Sequence, residues 1–90
     1  MDTPKNHVIS ILIADDAAAY ERLTNLARRR ATGLVSIGVA TTEEAGFARV
    51  TVVVHGTGFE TQALCRHIEK MVDVVEAVCA EDFIAAQMKW

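Results

Sequence analysis

The chain is poor in the residues that mark several classes of protein. Its 90 residues include one proline, two cysteines and 6% aromatic residues, and no apolar run approaches the roughly 20 residues that cross a bilayer. With 51% hydrophobic residues the chain is too apolar for a disordered segment. A formal net charge of −3 argues against nucleic-acid binding, which depends on a basic surface. What remains is a small globular domain.

Size and termini predict one domain with short tails. A chain of this length buries roughly 60% of its unfolded surface, so the core is marginal and association often completes it. The first six residues, MDTPKN, lack the pattern of a signal peptide, which predicts a cytoplasmic protein. Cys65 and Cys79 are accordingly expected to be reduced and buried. The predicted domain spans residues 7–80, with tails at 1–6 and 81–90.

The apolar pattern predicts four strands and two helices. The strands are rich in valine and isoleucine and lie at His7–Ala14, Leu34–Thr41, Phe47–His55 and Val72–Ala80. The first helix carries an apolar stripe at Ala19, Leu23, Leu26 and Ala27, and the second carries one at Leu64, Ile68 and Met71. Thr57 and Glu60 fit a capping box that begins the second helix. The order βαββαβ predicts an α+β, ferredoxin-like sandwich with both helices on one face of an antiparallel sheet.

Alternation along the strands predicts which face is covered. We expect the helix side of the sheet to receive Ile9, Ile11 and Ile13, then Val35, Ile37 and Val39, then Val50, Val52 and Val54. The uncovered face would carry Val8, Leu12, Val53 and Arg49. Apolar residues on such a face indicate an interface, so a homodimer is expected. Pairing of edge strands between two copies is a second way to form it.

The segment His7–Arg30 contains the first candidate for a binding site. A buried strand passes into an amphipathic helix there, and the free N–H groups at a helix N-terminus can hold an anionic group such as an amino-acid carboxylate. Asp15 or Asp16 is expected to cap this helix. Arg28, Arg29 and Arg30 end it, where cations suit the helix dipole. They are either solvated or a contact for an acidic partner.

Other chemistry finds little support in the sequence. Cys65 and His67 are two positions apart on a helix, face different ways and have no second cluster, so no metal site is predicted. His7 and His55 come with no nucleophile or glycine-rich loop, so no catalytic residue is predicted. The segment from Gly46 to Val52 loosely follows an RNA-recognition signature, but it lacks the stacking aromatic residues.

Several short motifs, in the same order along the chain, nevertheless resemble those of one family. They are His7-Val8-Ile9-Ser10, Arg22 with Arg30, Thr42-Glu43 with Gly46, Arg49-Val50-Thr51 and Val72-Asp73-Val74. Together they resemble the ACT domain of the small regulatory subunit of acetolactate synthase, over about residues 7–80. The chain ends at Trp90 and so resembles the short, single-domain type. Residues 83–90 look like the entry into a second domain, or a tail.

This resemblance implies a function without catalysis. Such subunits dimerise through their ACT domains, activate the catalytic large subunit and often confer feedback inhibition by valine or another branched-chain amino acid. Thiamine diphosphate and Mg²⁺ would then be cofactors of the partner subunit only, and this chain would need none. A stand-alone ACT dimer that binds an amino acid is the alternative.

The resemblance is weakest at the residues that would bind the effector. The family usually has Asn-Glu-Pro-Gly at the strand–helix junction, where this chain has Asp15, Asp16, Ala17 and Ala18. A Cβ at position 18 fills space that glycine leaves open, and the carboxylate of Asp15 disfavours a nearby anion. Across the dimer, an Asn-Ile pair of the family is replaced by Gly33-Leu34. We therefore expect amino-acid binding to be weak or absent.

Overall fold

A computed structural model describes residues 3–30, 33–42 and 44–80 of the chain. Its elements are β1 (Lys5–Ala14), α1 (Ala17–Arg30), β2 (Leu34–Thr41), β3 (Phe47–Gly56), α2 (Gly58–Glu69) and β4 (Val74–Ala80). The strands form one antiparallel sheet in the order β2-β3-β1-β4. The predicted βαββαβ sandwich is therefore confirmed. The predicted tail 81–90 lies outside the described residues.

Strand β1 lies in the middle of the sheet because it is apolar on both faces. It pairs with β3 along its whole length and with β4 from Val8 to Ile13. Ile9, Ile11 and Ile13 are fully buried on the helix side, as predicted. The same alternation places His7 on this side, and the structure buries it there.

Both helices pack on the same face of the sheet. Helix α1 buries Ala19, Leu23 and Ala27, and α2 buries Thr61, Leu64, Cys65 and Ile68. These side chains meet Val50, Val52 and Val54 of β3 in the core. Burial of a whole aliphatic side chain contributes about 1.5–3 kcal/mol, so this layer supplies most of the stability.

The predicted capping box of α2 is present. Thr57 Oγ1 accepts from the backbone N–H of Glu60 at 3.1 Å, and the Glu60 carboxylate accepts from the backbone N–H of Thr57 at 2.9 Å. At the other end of the sheet, the turn between β2 and β3 uses Gly46 with a φ of +88°, a conformation that glycine adopts at little cost.

Two predictions about strands are wrong, and irregular pairing explains much of the error. A bulge between Leu34 and Ser36 interrupts the alternation of β2, which leaves Val35 55% exposed. Val39 has the predicted register but is 56% exposed, because β2 is an edge strand. At β4 the predicted start is too early: Val72 lies in a turn and is 94% exposed.

Candidate effector junction and open sheet face

The β1–α1 junction is held in place by backbone hydrogen bonds to two other turns. The N–H of Ala14 donates to the carbonyl of Asp73, and the N–H of Asp15 donates to the carbonyl of Gly46, both at 2.9 Å. The carbonyl of Asp16 accepts the first helical bond, from Tyr20 at 3.1 Å, so Asp16 occupies the N-cap position. The junction thus lies beside the β2–β3 turn and the turn before β4.

Tyr20 makes a contact at the junction that the sequence did not indicate. Its hydroxyl donates a short hydrogen bond to Oδ1 of Asp15. That bond, followed by partial burial and the charges of Asp15 and Asp16, raises the pKa of Tyr20 to about 12. Asp15 is therefore held by a side chain of α1, and Asp16 remains as the N-cap residue.

The junction is exposed and already carries negative charge. Asp15, Asp16, Ala17 and Ala18 are all exposed. The N-terminus of a helix attracts anions through its free N–H groups and its dipole. Here two carboxylates of the chain itself stand at that position, and they would repel a free carboxylate ligand.

The other two predicted effector residues lie at the opposite end of the sheet. Ala14 pairs with Phe47 of β3, whereas Leu34 pairs with Val54. Seven residues of extended strand separate those two partners, or about 23 Å. Within one chain, Gly33 and Leu34 therefore do not meet the junction, and a shared pocket requires a second copy.

Glycine at position 33 has a local structural explanation. The carbonyl of Gly33 accepts from the backbone N–H of His55 at 2.6 Å. A Cβ built on Gly33 would lie 3.2 Å from the carbonyl oxygen of His55, a backbone atom of β3 that has little freedom to move. Close approach to β3 thus disfavours a side chain at position 33. Leu34 is half-buried and packs against the core.

The sheet face without helices combines apolar residues with one ion pair. Val8 is buried, and Leu12 and Val53 are half-buried. Arg49 lies between them, where its Nη1 contacts Ser10 Oγ at 3.3 Å and Glu76 Oε1 at 3.5 Å. Val78, paired with Ser10, adds an apolar side chain that is 49% exposed. The predicted interface residues are thus brought together on one surface.

His7 and His55 make hydrogen bonds within the fold, and Cys65 is buried in it. Nε2 of His7 donates to the carbonyl of Gly56 at 3.1 Å, and its buried Nδ1 has no partner among the described residues. His55 contacts the side chain of Asn6 at 2.9 Å. Cys65 is buried, which raises the pKa of its thiol to about 11 and favours the protonated thiol over the reactive thiolate. Cys79 is half-buried and, like Cys65, is not part of a disulfide.

The described residues contain no group of three or more His, Cys, Asp or Glu side chains placed to hold a metal ion. None of their helices combines the length and apolar character needed to cross a membrane.

The chain is similar in sequence to known proteins. Residues 15–77 match the family model of the ACT domain. An acetolactate synthase small subunit of Mycobacterium bovis is 28% identical over 80 residues, which are 89% of this chain and 48% of that protein. This chain therefore spans about half the length of that relative.

Solved structures agree at the level of the fold. The acetolactate synthase small subunit of Thermotoga maritima superposes with a TM-score of 0.78 and 24% identity, over 88% of this chain and 49% of that one. The ACT domain of a GTP pyrophosphokinase from Chlorobium tepidum superposes with a TM-score of 0.73 and 14% identity, over 87% and 100% of the two chains. The family match and these structures confirm the resemblance seen in the sequence. The chain belongs to the ACT domain family.

Proposed function

We propose that this chain is a non-catalytic regulatory subunit that acts by contact with the catalytic subunit of an acetolactate-synthase-like enzyme. The observation that carries this proposal is the similarity to acetolactate synthase small subunits over 89% of the chain. Thiamine diphosphate and Mg²⁺ would be bound by the catalytic partner. The chain would raise the activity of that partner in branched-chain amino-acid biosynthesis.

The open sheet face is the surface that we assign to protein contact. Its exposed apolar surface comes from Leu12, Val53 and Val78, whereas Val8 is already buried, and Arg49 supplies a cation that remains partly exposed. An apolar patch with a polar element is typical of a protein interface. A homodimer is part of the proposal, since a domain of this size gains buried surface by association.

Feedback by an amino acid is proposed to be weak or lost. The junction carries Asp15 and Asp16 where a carboxylate ligand would bind, and position 33 has a glycine, with the carbonyl oxygen of His55 only 3.2 Å from where its Cβ would lie. These features also weigh against the second candidate, a stand-alone ACT dimer that senses an amino acid.

Reconstitution with an acetolactate synthase catalytic subunit tests the proposal. The tagged chain should retain the catalytic subunit in a pull-down and should raise the rate of acetolactate formation. Val53→Asp, on the open face, should weaken both effects. Val72→Asp, at an exposed turn, is the matched control and should leave them unchanged.

The alternative function gives a different result in the same experiments. A chain that does not bind the catalytic subunit but binds valine in calorimetry is a stand-alone sensor. Equal activity of the Val53→Asp and Val72→Asp variants would instead place the contact away from the open face.

A further inference from the structure

Strand β2 is an edge that lacks the usual protection against pairing. Among the described residues it pairs only with β3. Its sequence, LVSIGVAT, contains no charged residue and no proline, although natural edge strands commonly use both to prevent pairing with another chain. Val35 and Val39 are more than half exposed along it. The other edge strand, β4, carries Glu76. β2 is therefore the better edge for a second copy.

Helix α1 lies beside this edge and has opposite charges at its two ends. It contacts β2, whereas α2 lies over β4. Asp15 and Asp16 precede α1, and Arg28, Arg29 and Arg30 end it. Fourteen residues of helix separate the two groups by about 21 Å. The arginines cannot neutralise the aspartates of their own chain over that distance.

The three arginines are exposed and without a carboxylate partner in the described part of the chain. The ion pairs found there use Arg22 and Arg49. Arg29 donates only to the carbonyl of Asn25, at 3.4 Å. Asn25, Arg28 and Arg29 also line an open cleft. A cluster of three cations on a chain of net charge −3 favours an acidic surface as its partner.

Two-fold symmetry brings the two charged groups together. When β2 pairs antiparallel with its own copy, the sheet end that holds Arg30 and Gly33 lies beside the partner's β2–β3 turn. The junction is bonded to that turn through Asp15 and Gly46. We propose that Arg28, Arg29 and Arg30 of one copy bind Asp15 and Asp16 of the other, twice in each dimer, across paired β2 strands.

This inference rests on the homodimer of the proposed function, forms that dimer through the β2 edge rather than the open sheet face, and adds a role for the junction. The carboxylates that stand at the helix N-terminus become ligands for the second copy. In such a dimer the carboxylates at the junction pair with arginines of the second copy, so the position does not need a free anion. The acidic junction and the basic end of α1 then contribute to the same interface.

A mixing experiment with charge-reversed variants tests the pairing. The first variant is Arg29→Glu/Arg30→Glu. The second is Asp15→Lys/Asp16→Asn, in which asparagine retains a good N-cap. Each variant alone places like charges across the interface, whereas a mixture places opposite charges at both sites. Sedimentation velocity gives the dissociation constant of each, and circular dichroism checks that each is folded.

The expected result has three parts. Each variant alone should dimerise about tenfold more weakly than the unmodified chain at about 50 mM salt, and the equimolar mixture should recover most of that loss. Arg66→Glu/Lys70→Glu, at the exposed end of α2, makes the same change in net charge as the first variant. It should dimerise like the unmodified chain.

Each contrary result has its own meaning. A stable unmodified dimer whose affinity neither variant changes, or a mixture no tighter than its components, overturns the ion pairs and leaves the homodimer intact. An unmodified chain that stays monomeric at about 100 µM, well above the dissociation constant of a specific interface, overturns both. Binding of the catalytic subunit is measured separately by pull-down.

Discussion

Arg22 of α1 and Asp73 of the turn before β4 form an ion pair that joins three parts of the fold. Nη2 and Nε of Arg22 lie 2.7 Å and 2.8 Å from the same carboxylate oxygen, Oδ2. The carbonyl of Asp73 accepts from the N–H of Ala14 at the end of β1. The side chain of Asp73 is only 15% exposed. One residue thus fixes the first helix and the last turn against the central strand.

Loss of this ion pair should lower the free energy of unfolding. Because Arg22 is half exposed, Arg22→Gln is expected to cost about 1 kcal/mol, less than for a fully buried pair. Asp73→Asn should cost a similar amount. Urea denaturation measures both, and the double variant should lose less than the sum of the single losses. Additive losses would mean that the two side chains act independently.

The phenol of Tyr20 should titrate unusually late. It is the only tyrosine of the chain, so phenolate absorbance reports it alone. The hydrogen bond to Asp15 raises its pKa to about 12, and Asp15→Asn should bring the value back towards 10. An unmodified chain that titrates near 10 would contradict the contact.

The raised pKa of Tyr20 also determines how the stability of the fold changes with pH. The pKa of Tyr20 is higher in the folded chain than in the unfolded chain. The contribution to stability is therefore fully present below about pH 10 and is lost as the pH rises towards 12. Tyr20→Phe should remove this part of the alkaline loss of stability. Denaturation of both proteins across that range is the measurement.

Gly33 and Gly38 offer a matched pair of substitutions within one strand region. A Cβ on Gly33 would lie 3.2 Å from the backbone carbonyl of His55, whereas a Cβ on Gly38 meets nothing within 4 Å. Gly33→Ala should destabilise the fold by about 1 kcal/mol through this crowding. Gly38→Ala should be neutral or stabilise by up to about 1 kcal/mol, because it restricts the unfolded chain. Equal effects in denaturation would exclude the close approach as the cause.

Periodicity in the sequence was enough to predict the architecture. The alternation of Ile9, Ile11 and Ile13 and the stripe from Ala19 to Ala27 each require a particular face to be buried. The capping box at Thr57 and Glu60 depends only on neighbours in sequence, and it too is confirmed. Such features are local, so a single sequence contains them.

The errors and omissions arise from contacts between distant parts of the chain. The bulge at Val35 depends on how β2 meets β3, and the exposure of Val39 depends on its place at the sheet edge. Arg22 and Asp73 are 51 positions apart, and no spacing rule connects them. At the junction, the sequence indicated the charge of Asp15 but not its bond to Tyr20.

The two carboxylates at the β1–α1 junction predict that valine has no strong site on this chain. An amino-acid ligand brings a carboxylate, which the free N–H groups at the start of α1 would attract and the carboxylates of Asp15 and Asp16 would repel. Calorimetric titration should therefore give no binding tighter than about 1 mM, an affinity of about −4 kcal/mol. Asp15→Asn/Ala18→Gly removes one charge and one Cβ, and it should bind valine more tightly than the unmodified chain if these groups are the obstacle. Asp15→Asn alone separates charge from space, since Ala18 still occupies its position in that variant. Micromolar binding of valine by the unmodified chain would show that neither the carboxylates nor the Cβ closes the site.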